Sequence, residues 1–387
     1  MDIGEFKAGS RKKGYNYQYF LPNKINNEVT WTDSTISCLL EKASRKLGEL
    51  NSFARFVPDA DLFIKMHVYN EAVLSSRIEG TRTLISEALL EENDVAPEKR
   101  EDWKEVGNYV SAMNYALDAL QHLPLSSRLI RDTHAKLLES VRGQHKNPGE
   151  FRRSQNWIGG ATLNDAVFIP PSHEEVPGLM SDLEKFLHNT DIQVPHLIRI
   201  AIAHYQFETI HPFLDGNGRI GRLLITLYLV SSGVLERPLL YISDFFDRYR
   251  SLYFDNLMLV REKNNLGQWI KFFLNATAET ADKSVSKLNQ IVKLKASLEH
   301  TLYPALGKRL TAGQTLFTAL FSSLVVNTQS VKKITGLSTK AVNDLIGKFV
   351  ELGILKEFTG YRRNRIFIFN SYLDLFNEDK QVEIGRR

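Results

Sequence analysis

Twelve consecutive residues, HPFLDGNGRIGR from His211 to Arg222, decide how this chain is interpreted. They bring together one imidazole, one carboxylate, three glycines and two guanidinium groups. The glycines also satisfy G-x-G-x-x-G, the pattern of a dinucleotide-binding loop. That loop requires a buried strand before the first glycine and a helix after the turn. The residues upstream of His211 therefore test this first interpretation.

The segment before His211 has the periodicity of a helix. Its apolar residues recur at intervals of three and four, through Leu197, Ile200, Ala201 and Tyr205, which predicts a helix of about fourteen residues. No run typical of a strand is visible there. We therefore reject the dinucleotide-binding interpretation and predict that the motif joins two helices, the second beginning near Arg219.

The glycine loop has the composition of an anion-binding site. Gly216, Asn217 and Gly218 can adopt backbone angles that larger residues avoid, so their N–H groups can converge at a helix N-terminus. That terminus attracts negative charge, and Arg219 and Arg222 add two guanidinium groups on one side of its first turn. Because guanidinium forks match phosphate oxygens, the loop predicts a polyphosphate site.

Asp215 and His211 supply the remaining chemistry. A carboxylate beside a phosphate site would repel its ligand unless Mg²⁺ lay between them. Histidine titrates near neutrality and can take a proton from a hydroxyl. The residues thus favour a nucleotidyl or phosphoryl transferase over the alternative, a helix-capping loop with a core histidine and surface arginines, because so many reactive groups fall within twelve positions.

The bulk composition narrows the class of protein. The chain has 387 residues, 43% hydrophobic and 24% charged, with a net charge of +4, values typical of a globular protein of two or three domains. Cys38 is the single cysteine, which favours a reducing compartment. The first twenty residues are rich in Lys, Arg, Gly and Tyr and lack the apolar core of a signal peptide. We expect a cytoplasmic protein without a membrane span.

Residues 155–171, QNWIGGATLNDAVFIPP, break the helical periodicity. Two turn signals, Gly-Gly and Asn-Asp, precede a short β-prone run over 166–169. Two prolines then end that run, because proline cannot continue a ladder. This stretch predicts a β-hairpin within a mainly α-helical body.

The tail from about Leu310 has a different pattern. It predicts a helix, a second helix over Val331–Thr335, and a third that Ser338 caps and that ends near Leu352. Two β-prone runs, 354–358 and 365–369, then flank a basic loop. Between Lys308 and Phe369 there are ten Lys or Arg residues and three acidic ones. We predict a winged helix-turn-helix, with Arg362, Arg363 and Arg365 in its wing.

The motif of residues 211–222 resembles the signature of the Fic (Fic/DOC) family, H-x-F-x-D/E-G-N-G-R-x-x-R, at every fixed position. The likeness extends from roughly Leu62 to Leu274 and includes the predicted hairpin. The resemblance implies a protein adenylyltransferase that transfers AMP from ATP to a Ser, Thr or Tyr hydroxyl. It implies that His211 is the base, that Asp215 binds Mg²⁺, and that ATP contacts Gly216, Asn217, Gly218, Arg219, Gly221 and Arg222.

The same resemblance implies roles for the predicted hairpin and for Tyr249. The hairpin becomes a flap whose edge pairs with the backbone of the target protein, through Ala166, Val167, Phe168 and Ile169. Tyr249 becomes a candidate wall of the adenine pocket. Relatives often have Asn followed by a base at the position of Tyr249-Arg250, so the base preference stays open.

A second motif, SSRIEG over residues 75–80, lies at the end of a predicted helix. An acid in a last turn is disfavoured by the helix dipole and calls for a cation, although an isolated surface glutamate is the simpler interpretation. The motif resembles the inhibitory motif of the family, S/T-x-x-x-E-G/N, with Ser75, Glu79 and Gly80 in place. This resemblance implies that Glu79 pairs with Arg222 and hinders the γ-phosphate, or that it assists removal of AMP.

The sequence therefore predicts a mainly α protein: a Fic-type helical bundle with a β-hairpin flap, followed by a winged helix-turn-helix domain. The predicted divisions are an N-terminal helical region with the inhibitory helix (1–100), the catalytic core (101–280), a connecting helix (281–309) and the winged helix (310–387). The rival function is a nucleotide-sensing regulator that binds DNA through its tail. Other nucleotide donors, self-modification and a homodimer are left open.

Overall fold

The computed structural model describes residues 1–56, 60–360 and 364–377, and this part of the chain is mainly helical, as predicted. None of its helices is both long enough and apolar enough to cross a membrane. The α-helices are α1 (Ser34–Phe56), α2 (Ala60–Ile78), α3 (Ile85–Ala88), α4 (Arg100–Ala119), α5 (Ser127–Leu137), α6 (Val176–His188), α7 (His196–Ile210), α8 (Asn217–Ser231), α9 (Ser243–Arg248), α10 (Arg250–Lys263), α11 (Leu266–Leu306), α12 (Leu310–Ser322), α13 (Thr328–Thr335), α14 (Thr339–Glu351) and α15 (Asn370–Asn377).

The strands form two small antiparallel sheets. They are β1 (Gly9–Lys13), β2 (Gln18–Pro22), β3 (Val325–Asn327), β4 (Lys356–Glu357) and β5 (Ile366–Ile368). β1 pairs with β2, with Arg11 opposite Phe20. The second sheet has the order β3-β5-β4.

The first sheet was not predicted; it lies within the range 1–100 that the sequence analysis proposed as an N-terminal helical region. β1 and β2 are joined by a tight turn in which the Gly14 N–H donates to the Tyr17 carbonyl (2.8 Å). Four of the five β1 residues are exposed, so β1 has no apolar alternation for a sequence pattern to detect. Its pairing comes from backbone hydrogen bonds and from the partly buried β2.

The described residues divide into two compact units. The first comprises residues 1–52, 71–83 and 96–282, and the second comprises the described residues within 53–70, 84–95 and 283–377. α11 continues across residue 281, where the sequence analysis began a separate connecting helix, and Pro304 lies inside this helix near its end. The four predicted domain ranges stay a proposal.

α7 and α8 form the centre of the first unit. Every residue of α7 from Leu197 to Ile210 is buried, including Arg199, His204 and Glu208, so the helix has no exposed polar face and is only weakly amphipathic. The predicted helix before His211 is confirmed. α7 ends at His211, which has a left-handed backbone (φ 50°), and α8 begins after Gly216, also left-handed (φ 74°). The motif is thus the link between two buried helices.

The predicted hairpin over 155–171 is reduced to one antiparallel bridge, between Ile158 and Phe168. The strand expected over 166–169 therefore does not form a ladder. Gly159 and Gly160 have positive φ, and Asp165 closes the turn by accepting bonds from the Ala161 and Thr162 N–H groups. The chain turns back before further backbone pairs can form. We call residues 158–169 the flap.

In the second unit, the tail contains the predicted helices and strands. Ser338 caps α14 by accepting from the Ala341 N–H (3.5 Å), and Gly336 ends α13 with a left-handed backbone (φ 69°). The apolar face of α14 is buried, as expected of core residues: Val342, Leu345, Ile346 and Phe349. The two wing strands are shorter than predicted, and Arg362 and Arg363 lie outside the described residues. The name winged helix-turn-helix stays a prediction.

Candidate active site

His211 is held by its main chain at the C-terminus of α7. Its N–H donates to the Phe207 carbonyl (2.9 Å), and its own carbonyl accepts from Arg152 Nε (3.0 Å) and Asn156 Nδ2 (3.3 Å). A left-handed backbone is unusual for a residue with a side chain and persists where surrounding contacts impose it. These contacts therefore fix the backbone position from which the His211 side chain projects.

The His211 ring is in the form that a general base requires. Its Nδ1 is buried and has no hydrogen-bond partner of normal geometry among the described residues. Burial, together with the positive charges of Arg261 and Arg152, lowers its pKa to about 3, although Glu79 opposes this shift. The imidazole is therefore neutral at pH 7. The phosphates of a bound nucleotide would raise its pKa again, because a nearby negative charge favours the imidazolium.

The motif glycines serve three different geometric needs. Only Gly216 has the positive φ that the sequence analysis expected of the whole 216–218 turn, because Asn217 and Gly218 already belong to α8. A Cβ on Gly218 would lie 2.2 Å from Glu79 Oε1, and a Cβ on Gly221 would lie 2.1 Å from Glu208 Oε1. The N–H groups that were expected to form an anion nest thus belong to the first turn of α8. They have no acceptor within the helix, so they can still donate to an anion at its N-terminus.

Asn217 closes the loop on itself. Its Oδ1 accepts from the Phe213 N–H and its Nδ2 donates to the Phe213 carbonyl, both at 2.8 Å. Asn156 adds a second donor to that carbonyl (2.8 Å). Phe213 itself is fully buried. The loop conformation is therefore set before any ligand arrives.

The two motif arginines are held by different acids. Arg219 lies 3.3 Å from Glu105 and 3.6 Å from Asp215. Arg222 donates through Nη2 to Glu79 Oε1 (2.7 Å), and through Nε to Ser75 Oγ (2.8 Å). Both arginine side chains are at most 5% exposed. Each guanidinium is thus oriented by a carboxylate from elsewhere in the chain.

Glu79 follows the last residue of α2, and Gly80 ends the helix with a positive φ of 109°. Burial works to raise the pKa of the Glu79 carboxyl, but the charge of Arg222 and its hydrogen bond outweigh this, so the pKa is lowered. The glutamate is therefore ionised at neutral pH. The Glu79–Arg222 ion pair that the resemblance implied is present, and its effect on activity is a separate question.

Asp215 is the candidate Mg²⁺ ligand. Its side chain is 44% exposed, and its Oδ1 accepts from the Gly216 N–H (2.6 Å). Among the described residues no group of three His, Cys, Asp or Glu side chains could hold a metal by itself. Mg²⁺ is commonly held by one carboxylate together with phosphate oxygens and water. An exposed carboxylate beside the N-terminus of a helix fits that arrangement.

Sequence reasoning missed the residues that support the loop from behind. His134 stacks on Phe213 (ring centroids 3.8 Å apart) and its Nε2 lies 3.0 Å from the Asp215 carbonyl. Its Nδ1 accepts from the Gly149 N–H (2.9 Å), and burial lowers its pKa to about 4. His134 is thus neutral and donates through Nε2. It stands alone in its segment, so no local pattern marks it.

The remaining predicted site residues lie at the edges of this arrangement. In the flap, Val167 is 66% exposed and Phe168 is 6% exposed, while Ala166 and Ile169 are intermediate. Tyr249 is 37% exposed, and its described ring contacts are with Phe245 and Arg248. Target docking by the flap and adenine contact by Tyr249 stay predictions.

Comparisons with known proteins agree with this geometry. Residues 38–118 match the Fic/DOC family N-terminal domain and residues 124–229 match the Fic/DOC family domain, so the chain carries both of these domains. It is 30% identical over 224 residues to the protein adenylyltransferase Fic of Drosophila erecta, and 27% identical over 310 residues to that of Aedes aegypti. These alignments cover 56% and 74% of this chain but 41% and 58% of the relatives, so the chain spans about half their length.

Solved structures show the same fold. A Fic family protein from Desulfovibrio desulfuricans superimposes with a TM-score of 0.56 at 19% identity, over 90% of this chain and 98% of the other. A Fic domain containing signaling protein from Bacteroides thetaiotaomicron superimposes with a TM-score of 0.52 at 19% identity, over 65% of this chain and 97% of the other. At this identity the likeness concerns the fold.

Proposed function

We propose that this protein is an auto-inhibited adenylyltransferase that transfers AMP from ATP to a hydroxyl side chain of a target protein. The observation that carries the proposal is the loop between α7 and α8. It holds a neutral imidazole, the N-terminus of a buried helix, two buried arginines and one exposed carboxylate together, with its conformation set by internal hydrogen bonds. Relatives named protein adenylyltransferase match this part of the chain.

In the proposed reaction the target hydroxyl oxygen attacks the α-phosphorus of ATP. The bond from that phosphorus to the bridging oxygen breaks, and pyrophosphate leaves. His211 takes the hydroxyl proton, which its neutral ring is able to accept. The first-turn N–H groups of α8 and the guanidiniums of Arg219 and Arg222 hold the phosphates. Mg²⁺ at Asp215 would neutralise phosphate charge.

The proposed brake is the Glu79–Arg222 ion pair. Glu79 Oε1 occupies a donor of the Arg222 fork that a phosphate oxygen would otherwise use. It also lies against Gly218 in the first turn of α8, so a negative charge faces the terminus that should attract the nucleotide. Removing this charge frees the arginine and lowers the electrostatic cost of seating the triphosphate.

The test compares Glu79→Gly with the natural protein, using ATP labelled at the α-phosphate and Mg²⁺. We expect AMP incorporation, including self-modification, to rise by about tenfold or more, the effect of one charge-assisted hydrogen bond. The isosteric Glu79→Gln removes the charge but keeps the side chain, and should give an intermediate rise. His211→Ala on the Glu79→Gly background should abolish labelling. An unchanged rate in Glu79→Gly would reject the brake, and labelling without His211 would reject the mechanism.

Two related activities share the same residues. Glu79 could position a water for removal of AMP, and another nucleotide could be the donor. The transferred group can be identified by mass spectrometry. The Glu79→Gly protein is incubated with mixed nucleotides, and the mass added to the product is measured. AMP release from a purified modified protein, compared between the natural chain and Glu79→Gln, detects the reverse reaction.

DNA binding by the tail stays a prediction. Lys332, Lys333 and Lys340 are exposed on α13 and α14, which is compatible with phosphate contacts. His211→Ala separates this function from the transferase, since it should abolish AMP transfer and leave any retention of duplex DNA intact.

A further inference from the structure

Four cationic side chains lie in or next to the N-terminal sheet and have no role in the proposed reaction. Lys7, Arg11, Lys12 and Lys13 fall within seven residues that contain no acid. All four side chains are exposed. Within the part of the chain that the structure describes, no salt bridge engages any of them. We call β1, β2 and their turn (residues 9–22) the ribbon.

The ribbon is attached to the flap. The Phe20 N–H of β2 donates to the Ile169 carbonyl (2.9 Å), and the Phe20 ring lies 5.8 Å from that of Phe168. The Tyr17 hydroxyl contacts Gln155 at the base of the flap (3.3 Å). The charged strand β1 is paired to β2 over five residues. The cations of β1 are therefore held at a fixed place beside the flap.

A cleft of about 440 Å³ lies between the ribbon, the flap and the end of α10. Its wall includes flap residues 166–169 and ribbon residues 9–11 and 18–20. Among its charged lining residues Arg11, Arg261 and Lys263 outnumber Glu262. The cleft thus has an excess of positive charge where the flap meets the ribbon.

Arg261 connects this cleft to the catalytic histidine. Its guanidinium lies 4.0 Å from the Phe168 ring centre and donates to the Glu208 carbonyl (3.0 Å), three residues before His211. Its charge is near enough to His211 to lower the pKa of that ring. The cleft contains none of the motif residues 211–222, so it lies beside the reaction centre rather than in the nucleotide site.

We propose that the ribbon and this cleft bind an acidic segment of the target protein that flanks the modified hydroxyl. The proposal adds a target-binding site to the proposed adenylyltransferase. It rests on that function, because the bound segment is taken to belong to the protein that is modified. The volume suits a few side chains, since pockets of several hundred Å³ hold ligands of that size. Exposed cations on a rigid wall select for opposite charge and speed the encounter. A wall formed jointly with the flap favours an extended protein segment over a nucleic acid.

The test measures binding without the reaction. A fluorescein-labelled peptide with one tyrosine between two runs of Asp and Glu is titrated with His211→Ala protein in the absence of ATP. Its counterpart has Asn and Gln in place of the acids. We expect the acidic peptide to bind about tenfold more tightly, the sum of a few exposed ion pairs, and its affinity to fall with added salt.

Matched variants assign the effect to the ribbon. Reversing Arg11, Lys12 and Lys13 to Glu should remove the preference for the acidic peptide. Reversing Lys332, Lys333 and Lys340 to Glu changes the net charge of the chain equally and should leave the preference unchanged. Thermal unfolding checks that both triple variants remain folded, and Arg11→Glu alone, with a smaller loss, serves if the ribbon triple variant does not.

Three outcomes would overturn the proposal: equal affinity for the two peptides, a preference that survives the ribbon reversal, or tighter binding of a single-stranded oligonucleotide of equal length through the same three cations. Because no nucleotide is present, these results are independent of AMP transfer. If the acidic peptide binds but the Glu79→Gly protein transfers no AMP to any protein, the ribbon proposal stands as a binding site and the proposed function fails.

Discussion

The motif loop and the flap are built in opposite ways. In the loop, side-chain amides of Asn217 and Asn156 bond the main chain, and Phe213 is fully buried. The flap has a single bridge, and most residues of its turn are exposed. The motif loop is closed by its own hydrogen bonds, whereas the flap leaves most of its backbone groups unpaired and most of its residues exposed.

The difference follows from what each region has to do under the proposed function. Phosphate positioning requires donors that are placed in advance, because reorganisation during the reaction costs rate. A target segment is longer and more variable, and strand addition needs unpaired backbone at an accessible edge. Four predictions test this difference between the motif loop and the flap.

Arg152 connects the motif loop to the residues that flank the flap and should give the largest effect. It is 2% exposed and donates to the His211, Ser154 and Pro171 carbonyls. Arg152→Met removes a donor from all three carbonyls and leaves His211 and Pro171 with only the longer bonds from Asn156 (3.3 Å) and Gln155 (3.5 Å), so it should lower the free energy of unfolding by about 3 to 5 kcal/mol. Urea denaturation measures it. The next residue supplies the control, because Arg153 is 85% exposed and Arg153→Met should change little; equal losses would contradict a bridging role.

Glu208 beneath the loop should make stability depend on pH. It is 6% exposed, and burial raises its pKa to about 7 from 4.5. The folded protein thus keeps this proton between those values, and the stabilisation is lost as pH rises through about 7. Glu208→Gln stays neutral, so its stability relative to the natural chain should increase between pH 5 and pH 8, by on the order of 3 kcal/mol.

Denaturation at the two pH values measures this change. Glu150→Gln, on a carboxylate that is 48% exposed, is the control for the substitution itself. The hypothesis fails if the advantage of Glu208→Gln is the same at both pH values.

Gly221 tests the close packing behind the motif. An added Cβ would meet Glu208 Oε1 at 2.1 Å, so Gly221→Ala should cost about 1 to 3 kcal/mol through overpacking. Gly107 in α4 has nothing within 4 Å of an added Cβ, and Gly107→Ala should instead stabilise by about 0.5 to 1 kcal/mol because alanine favours the helix. Thermal melts of both variants would contradict this reasoning if their midpoints moved in the same direction.

The exposed side chain of Val167 in the flap should give the smallest change in stability. Val167 is 66% exposed, and Val167→Ser should alter the free energy of unfolding by less than about 0.5 kcal/mol. Its neighbour Phe168 is 6% exposed and lies under the Arg261 guanidinium, so Phe168→Ala should cost about 3 kcal/mol or more. A large loss in Val167→Ser would show that the flap is as closed as the motif loop.

Several features of the fold could be predicted because their causes are local. The apolar spacing from Leu197 predicted α7, and Gly336 and Ser338 predicted the turn between α13 and α14. Helix periodicity and capping depend on residues within a few positions of one another, so they can be recognised in the sequence. The ribbon was missed for the same reason, because β1 is exposed and has no pattern of its own.

The candidate site was predictable only in part. Its reactive groups are clustered in one motif, and the implied partner of Arg222 was found at Glu79, 143 residues away. Glu105, His134 and Arg152 have no local signature, and they act through contacts with residues far along the chain. Their roles follow from packing, which brings distant segments together.

The amino-acid sequence by itself determined the mainly helical class, the motif between two helices and the kind of chemistry its groups can perform. Only the tertiary structure decided why Gly218 and Gly221 carry no side chain, which acid holds each motif arginine, and that a cationic ribbon lies beside the flap. The reason is the distance along the chain over which each effect acts. Backbone conformation and side-chain chemistry are properties of neighbouring residues, whereas close approach and charge pairing arise between segments that meet only when the chain is folded.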